Sequence, residues 1–310
     1  MSKCIDAGRQ GCPCALAESG HCLVCSKLNG GNCDDCGWQG TCIYSIYYQN
    51  HHSLAEDRRS RPMDIVEIRT YGPRFSVFIL QTSRGFCQQA AKPGSYVFAR
   101  AEGADRWCDM PVSILKSQPD KGRIHLGICA CGPKSDSLLA ATKALSVRGV
   151  YENGLSGLNG LHQSPDKTII FAKGIAMAPL RNFLDGGQRY ATYLKNLQLY
   201  VDLDKVGFDF FRDYFGDLPA ASIKVCSFAE SGLPSLDELP HLGRPNGTNV
   251  FALTSPYYVE KIQQAANAAG RRTAVIRPAE GNFCCGEGIC GACTCSDAKG
   301  NTVRRCKLAE

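Results

Sequence analysis

Near its C-terminus the chain reads Cys285-Gly286-Glu287-Gly288-Ile289-Cys290-Gly291-Ala292-Cys293, with one further cysteine, Cys306, downstream. Cys-x4-Cys-x2-Cys plus one distant thiol is a ligand spacing of [2Fe–2S] sites. Small residues fill the gaps. Glycine permits the positive-φ turns of a tight loop, and backbone N–H groups can then point at sulfur. A zinc knot or a set of buried thiols is the alternative. Cys284 and Cys295 fall outside the pattern, and Cys284 could replace its neighbour if the register slipped. A [2Fe–2S] cluster carries one electron and does no chemistry on carbon by itself. The rest of the chain should therefore say where that electron comes from and where it goes.

A length of 310 residues predicts two or three domains. Hydrophobic content of 44% and charged content of 21% are those of a soluble globular protein. The net charge of +6 is spread along the chain, with no basic cluster for nucleic acid. No run of eighteen apolar residues marks a membrane span, and Met-Ser-Lys-Cys-Ile-Asp lacks the apolar core of an export signal. The 19 cysteines are many. Disulfides would need export, so metal or cluster ligation in a reducing cytoplasm is expected.

Residues 1–50 hold Cys4, Cys12, Cys14, Cys22, Cys25, Cys33, Cys36 and Cys42, with Gly, Asn and Asp in the gaps. So short a segment is expected to lack an apolar core and to fold on bound metal. Eight thiols could serve two four-ligand sites, as [4Fe–4S] clusters or as zinc ions. Iron–sulfur is favoured because a cluster motif already stands at the other end. Spacing does not say which cysteine belongs to which site. The polar stretch from His51 to Pro62 reads as a linker, with His51 and His52 solvated.

Short alternating runs follow: 64–70, 75–80, 95–99, 112–115 and 123–129, separated by Gly/Pro turns. They predict a small antiparallel barrel over 62–150. A helix is expected after Gly132, its start a place for a pyrophosphate. Over 151–278 strands alternate with helices: strands at 168–172, 197–202, 222–227, 248–253 and 272–276, with helices at 207–215 and 259–269 among them. That predicts a doubly wound parallel sheet with ligands beyond its carboxyl edge, at loops 172–179, 202–207 and 253–258. Residues 279–310 are the cluster segment.

This order of parts over residues 62–310 resembles the electron-transfer subunit of heterodimeric dihydroorotate dehydrogenase. More broadly it is similar to the ferredoxin–NADP reductase superfamily. The resemblance implies FAD on the barrel, NAD(H) on the sheet and a cluster facing a partner subunit. Pro93-Gly94-Ser95-Tyr96-Val97 resembles that family's strand entry. Pro111-Val112-Ser113 resembles its flavin motif, with Met110 in place of an arginine. Gly132-Pro133-Lys134-Ser135 resembles the turn under the FAD pyrophosphate, and Tyr151-Glu-Asn153-Gly154-Leu155 resembles a Gly-Asn-Gly-Phe segment. In the glycine-rich nucleotide loop only Gly174 remains of 172–180, and Lys173 and Ala176 would crowd a pyrophosphate. Lys173 is either a substitute phosphate contact or a surface lysine. Thr254-Ser255-Pro256 stands where the resemblance implies Cys-Gly-Pro.

The first expectation is an iron–sulfur flavoprotein subunit, passing electrons between FAD, the C-terminal cluster and a partner oxidoreductase or a ferredoxin, with NAD(P) binding weakened. No catalytic acid or base is needed. The second is an NAD(P)H-oxidising, diaphorase-like subunit. The third is a metal-stabilised docking subunit without redox work.

Overall fold

The computed structural model of the chain describes residues 3–55, 58–186, 191–194, 196–234, 246–268, 273–279, 283–296 and 300–309. The expected helix end at Ala269 and strand start at Arg272 lie outside these residues.

The N-terminal segment has a two-residue strand β1 (Lys3–Cys4) and two helices, α1 (Ala15–Glu18) and α2 (Ile43–Gln49). Contrary to the expectation of no apolar core, Ala17, Cys25, Leu28, Ile43 and Tyr47 are buried together. Ile43 and Tyr47 stand four residues apart, on one face of α2.

The barrel comprises β2 (Arg61–Gly72), β3 (Phe75–Gln81), helix α3 (Arg84–Ala90), β4 (Tyr96–Ala101), β5 (Met110–Gln118), β6 (Arg123–Cys129), helix α4 (Pro133–Leu139) and β7 (Ala144–Tyr151). Its six strands close in the order β2-β3-β6-β5-β4-β7. The inward positions of the alternation, among them Phe78, Val97, Ile114, Leu126 and Val147, form its core. Two elements were not expected. β7 closes the barrel between β2 and β4, and Arg148 and Gly149 interrupt its alternation. In α3 the Ser83 hydroxyl accepts the Phe86 N–H at 3.2 Å, a helix cap lost in a polar stretch. The expected linker is also shorter. β2 begins at Arg61, and Arg58 is pinned by ion pairs to Asp6 and Glu287.

The sheet is built from β8 (Leu155–Ser156), β9 (Lys167–Lys173), helix α5 (Ala178–Leu184), β10 (Leu197–Asp202), helix α6 (Gly207–Phe215), β11 (Ile223–Val225), helix α7 (Phe228–Ser231), β12 (Thr248–Leu253), helix α8 (Pro256–Ala268) and β13 (Thr273–Pro278). The order is β11-β10-β9-β12-β13-β8, parallel except for β8 at the edge. Ile170 and Ala172 of β9 face one core, Ile169 and Phe171 the other, as a strand covered on both sides requires. Phe75, Val77 and Leu115 of the barrel share the first of these cores, so barrel and sheet pack directly together.

The cluster segment adds a hairpin, β14 (Thr294–Ser296) and β15 (Thr302–Arg304), and then β16 (Leu308–Ala309). β16 pairs antiparallel with β1, Lys3 opposite Ala309 and Cys4 opposite Leu308. The two cysteine-rich ends of the chain thus meet. Among the described residues no helix is long and apolar enough to cross a membrane.

Candidate functional site

Cys285, Cys290 and Cys293 lie on the loop before β14, and Cys306 on the turn after β15. The Cys306 thiol meets those of Cys285 and Cys293, and Cys285 meets Cys290. The hydrogen donated by Cys306 pulls Cys285 and Cys293 down toward thiolate, and the same bonds push Cys306 itself up. Burial pushes Cys290 up. Backbone donors aim at the sulfurs: Glu287 N–H at Cys285 Sγ, 3.3 Å, and Cys306 N–H at Cys293 Sγ, 3.5 Å. The loop reaches this shape through left-handed glycines, Gly286, Gly288 and Gly291, with φ of +70°, +77° and +76°. Cys284 is exposed and Cys295 lies on β14; among the described residues neither joins these thiol contacts.

Among the described residues no three His, Cys, Asp or Glu side chains converge as ligands of a single ion. The four thiols are neighbours in one chain of contacts, Cys290 to Cys285, Cys285 to Cys306 and Cys306 to Cys293. Four neighbouring thiols, two of them with N–H donors at sulfur, are a donor set that fits a two-iron cluster.

The loop is clamped by a charge cluster that spacing could not reveal. Buried Glu287 accepts from Tyr151 Oη at 2.5 Å, from Arg58 and Arg148 at 3.2 Å each and from Lys307 at 3.3 Å. Burial alone would raise its carboxyl; Lys307, Arg58 and Arg148 hold it below the usual range. Asp6, from the N-terminal segment, takes Lys307 at 2.5 Å and pairs with Arg58. Arg148 donates to Asp109 at 2.9 Å and to the Cys285 carbonyl at 2.9 Å. Asn153 donates to the carbonyls of Arg305 and Leu308, so the Tyr151–Leu155 segment holds the turn that carries Cys306. Apolar contact does the rest. A Cβ on Gly286 would stand 2.7 Å from the Phe98 ring, and Tyr96 stacks on both Tyr151 and Phe283.

The residues expected at a flavin, on β5 and on the turn at 132–135, are neighbours in the barrel. Exposed Pro111 is opposite Phe98 across β5 and β4, and Ser113 is opposite Tyr96; Val112 points into the core. The cluster loop and this strand therefore share Phe98. Lys134 reaches back to the Asp109 carbonyl at 3.2 Å, which joins the turn at 132–135 to the start of β5. Ser135 is buried; its hydroxyl accepts from Cys131 N–H and Gly132 N–H and donates to the Gly132 carbonyl. It shapes the turn rather than offering a hydroxyl to a ligand.

The loop after β9 faces β6. Gly174 has φ +52° and its Cβ position abuts Asp204, while Ile175 fills the space over Gly127 at 2.4 Å from a Cβ there. Lys173 is not a free phosphate contact: its Nζ pairs with Asp202 at 2.5 Å and Asp204 at 3.8 Å. Together with the N–H groups of Phe228 and Asp204, Lys173 holds the Asp202 carboxyl below its ordinary range against the effect of burial. At the carboxyl edge of β12, Thr254 is buried with its hydroxyl unpartnered. It lines an open cleft of about 950 Å³ between α8 and the cluster segment, with Gln263, Cys293 and Cys295 on its walls.

No protein-family model matches the chain, and no curated protein matches it. Solved structures do resemble it. An NADH-dependent reduced ferredoxin–NADP oxidoreductase, studied for flavin-based electron bifurcation, is 15% identical, with a TM-score of 0.57 over 79% of this chain and 85% of that one. Phthalate dioxygenase reductase, described as modular for electron transfer from pyridine nucleotides to [2Fe–2S], is 13% identical, with a TM-score of 0.52 over 81% and 96%. A ferredoxin–NADP+ reductase from Neisseria gonorrhoeae, with bound FAD and NADP, is 11% identical, with a TM-score of 0.52 over 71% and 98%. The closed barrel followed by the doubly wound sheet is thus a ferredoxin-reductase-like fold.

Proposed function

We propose that the chain is an iron–sulfur flavoprotein subunit that passes electrons between FAD at the barrel edge, a [2Fe–2S] centre at Cys285, Cys290, Cys293 and Cys306, and a partner oxidoreductase or ferredoxin. One observation carries this reading: four neighbouring thiols, with N–H donors at two of the sulfurs, on a loop held by Tyr151 of β7 and packed on Phe98 of β4, the strand beside Pro111 and Ser113. A bound FAD would convert between two-electron and one-electron transfer, and a [2Fe–2S] centre would take single electrons. The chain's own residues do the positioning. Arg148 binds the Cys285 carbonyl and fixes the loop. Phe98, Tyr96 and Tyr151 exclude water between loop and barrel. The backbone donors stabilise thiolate over thiol.

The second reading, NAD(P)H oxidation within a dihydroorotate-dehydrogenase-like complex, is favoured by the cleft beside Cys293. It is opposed by Lys173 in its ion pairs and by Ile175 over Gly127. Hydride transfer needs the nicotinamide held at attack distance. The decisive experiment is flavin, iron and acid-labile sulfide analysis of anaerobic protein, followed by stopped-flow mixing with NADH and NADPH. Bound FAD, bleached by dithionite and slowly or not at all by either nucleotide, is the expected result. Absence of flavin overturns the reading in favour of a docking subunit. Rapid stoichiometric bleaching by a nucleotide establishes the second reading instead.

A further inference from the structure

Of the eight N-terminal cysteines, four line one cavity, three are exposed, and Cys25 is buried in the apolar core with Ala17, Leu28, Ile43 and Tyr47. Cys4, Cys12, Cys14 and Cys22 line one cavity, with Leu16 and Ile43 on its apolar wall. Cys33, Cys36 and Cys42 are exposed and are not among its walls. The local sequence explains the convergence. After β1 the chain turns twice, Arg9 N–H donating to the Asp6 carbonyl and Cys12 N–H to the Arg9 carbonyl, both at 3.0 Å. Gly8, at φ +64°, permits the reversal that brings Cys12 and Cys14 back beside Cys4. Cys14 is the hub, close enough to interact electrostatically with Cys4, Cys12 and Cys22. One backbone N–H, that of Cys25, already donates to the Cys22 sulfur at 3.3 Å.

We propose that Cys4, Cys12, Cys14 and Cys22 bind one four-cysteine iron–sulfur cluster, placed as the immediate neighbour of the C-terminal centre. The second half rests on the [2Fe–2S] reading above; the ligand assignment does not. Zinc would draw four thiolates to about 3.8 Å from one another around one point, given Zn–S bonds of about 2.3 Å. The four thiols line one small apolar-walled cavity, and the metal analysis below separates iron from zinc. N–H···S bonds are a recognised control of cluster potential.

Contiguity follows from the β1–β16 pairing. Cys4 is opposite Leu308, two residues beyond Cys306, and Ile5 N–H donates to the Lys307 carbonyl at 2.9 Å. Leu16 lines the cavity and also stands 3.2 Å from a Cβ position on Gly288, inside the C-terminal loop. A single layer of side chains separates the two cysteine sets. Exchange between them is one electron lost by one centre and gained by the other, with no bond made or broken.

The test uses full-length protein prepared anaerobically, metal and sulfide analysis, and EPR after dithionite reduction. The parent should show two paramagnetic centres whose signals split or broaden each other. Cys14→Ser and Cys22→Ser should each lose the N-terminal signal and its iron, leaving an unsplit C-terminal signal. Cys36→Ser should keep both. Cys290→Ser should lose the C-terminal signal and the splitting while the N-terminal signal stays, so failure of either centre is seen separately. The parent measurement needs no variant and guards against misfolding. Zinc in place of iron, two magnetically isolated centres, an N-terminal signal surviving in Cys14→Ser and Cys22→Ser, or its loss in Cys36→Ser would each overturn the proposal.

Discussion

Asp6→Asn strikes the point where the two ends of the chain are tied. Asp6 accepts Lys307 Nζ at 2.5 Å and pairs with Arg58, while Lys307, fully buried, keeps only Glu287 at 3.3 Å as a second carboxylate. Burial would strip Lys307 of its charge, and Asp6 is the first of the groups that hold its pKa up. Removing one partner of a buried pair costs roughly 3–5 kcal/mol. Asparagine keeps one acceptor, so about 3 kcal/mol is expected, a change of more than about 100-fold in the unfolding equilibrium. Lys307→Met should cost less, about 2 kcal/mol, because Arg58 still serves both carboxylates. In the double variant neither ion is left alone, so the total should be about 3 kcal/mol, a coupling of about 2 kcal/mol. Anaerobic urea denaturation followed by circular dichroism measures all three. Tryptophan fluorescence adds a local report, since Trp38 lies in the N-terminal segment and Trp107 in the barrel. Single variants within about 0.5 kcal/mol of the parent, or costs that simply add, would refute the buried-pair reasoning.

Gly286→Ala forces a side chain into left-handed backbone and into Phe98, at a combined cost of about 3 kcal/mol, so iron should be lost to a chelator faster than in the parent. Cys285→Ser should abolish the C-terminal EPR signal and Cys284→Ser should not; the reverse result would move the ligand register by one. His125 is buried and neutral, its Nδ1 against Tyr214 Oη at 2.8 Å and its Nε2 against Gln118 at 3.1 Å. Burial, then the charges of Arg69, Lys116 and Arg123 against that of Glu67, lowers its pKa from 6.5 to about 4. The unfolded chain therefore binds the extra proton first. Stability should be full above about pH 6.5 and fall on acidification, by about 1 kcal/mol between about pH 7.5 and 5.5. His125→Gln should flatten that slope in urea midpoints.

Much of the architecture was legible because periodicity reports burial directly. β3, β6, β9 and β12 read as strands from runs such as Phe75–Leu80 and Thr248–Leu253. β7 did not, because its buried Arg148 answers to Asp109 and Glu287, which lie 39 and 139 residues away. The same holds for Arg58, whose partners lie in the first and last segments, so a polar stretch looked like free linker. The two readings of Lys173 are separated only by the fold, which sets Asp202 and Asp204 beside it.

By itself the sequence determined the inventory: a cysteine run with two-iron spacing, eight more thiols at the other end, a barrel pattern and then a sheet pattern. Local chemistry is enough for that, since turn glycines, alternation and ligand spacing act within a few residues. Only the tertiary structure decided which thiols stand together, that Cys4 lies across a strand pair from Leu308, and that Glu287 and Asp6 share Lys307. Contacts between residues some three hundred positions apart depend on how barrel and sheet pack, and no local pattern encodes that.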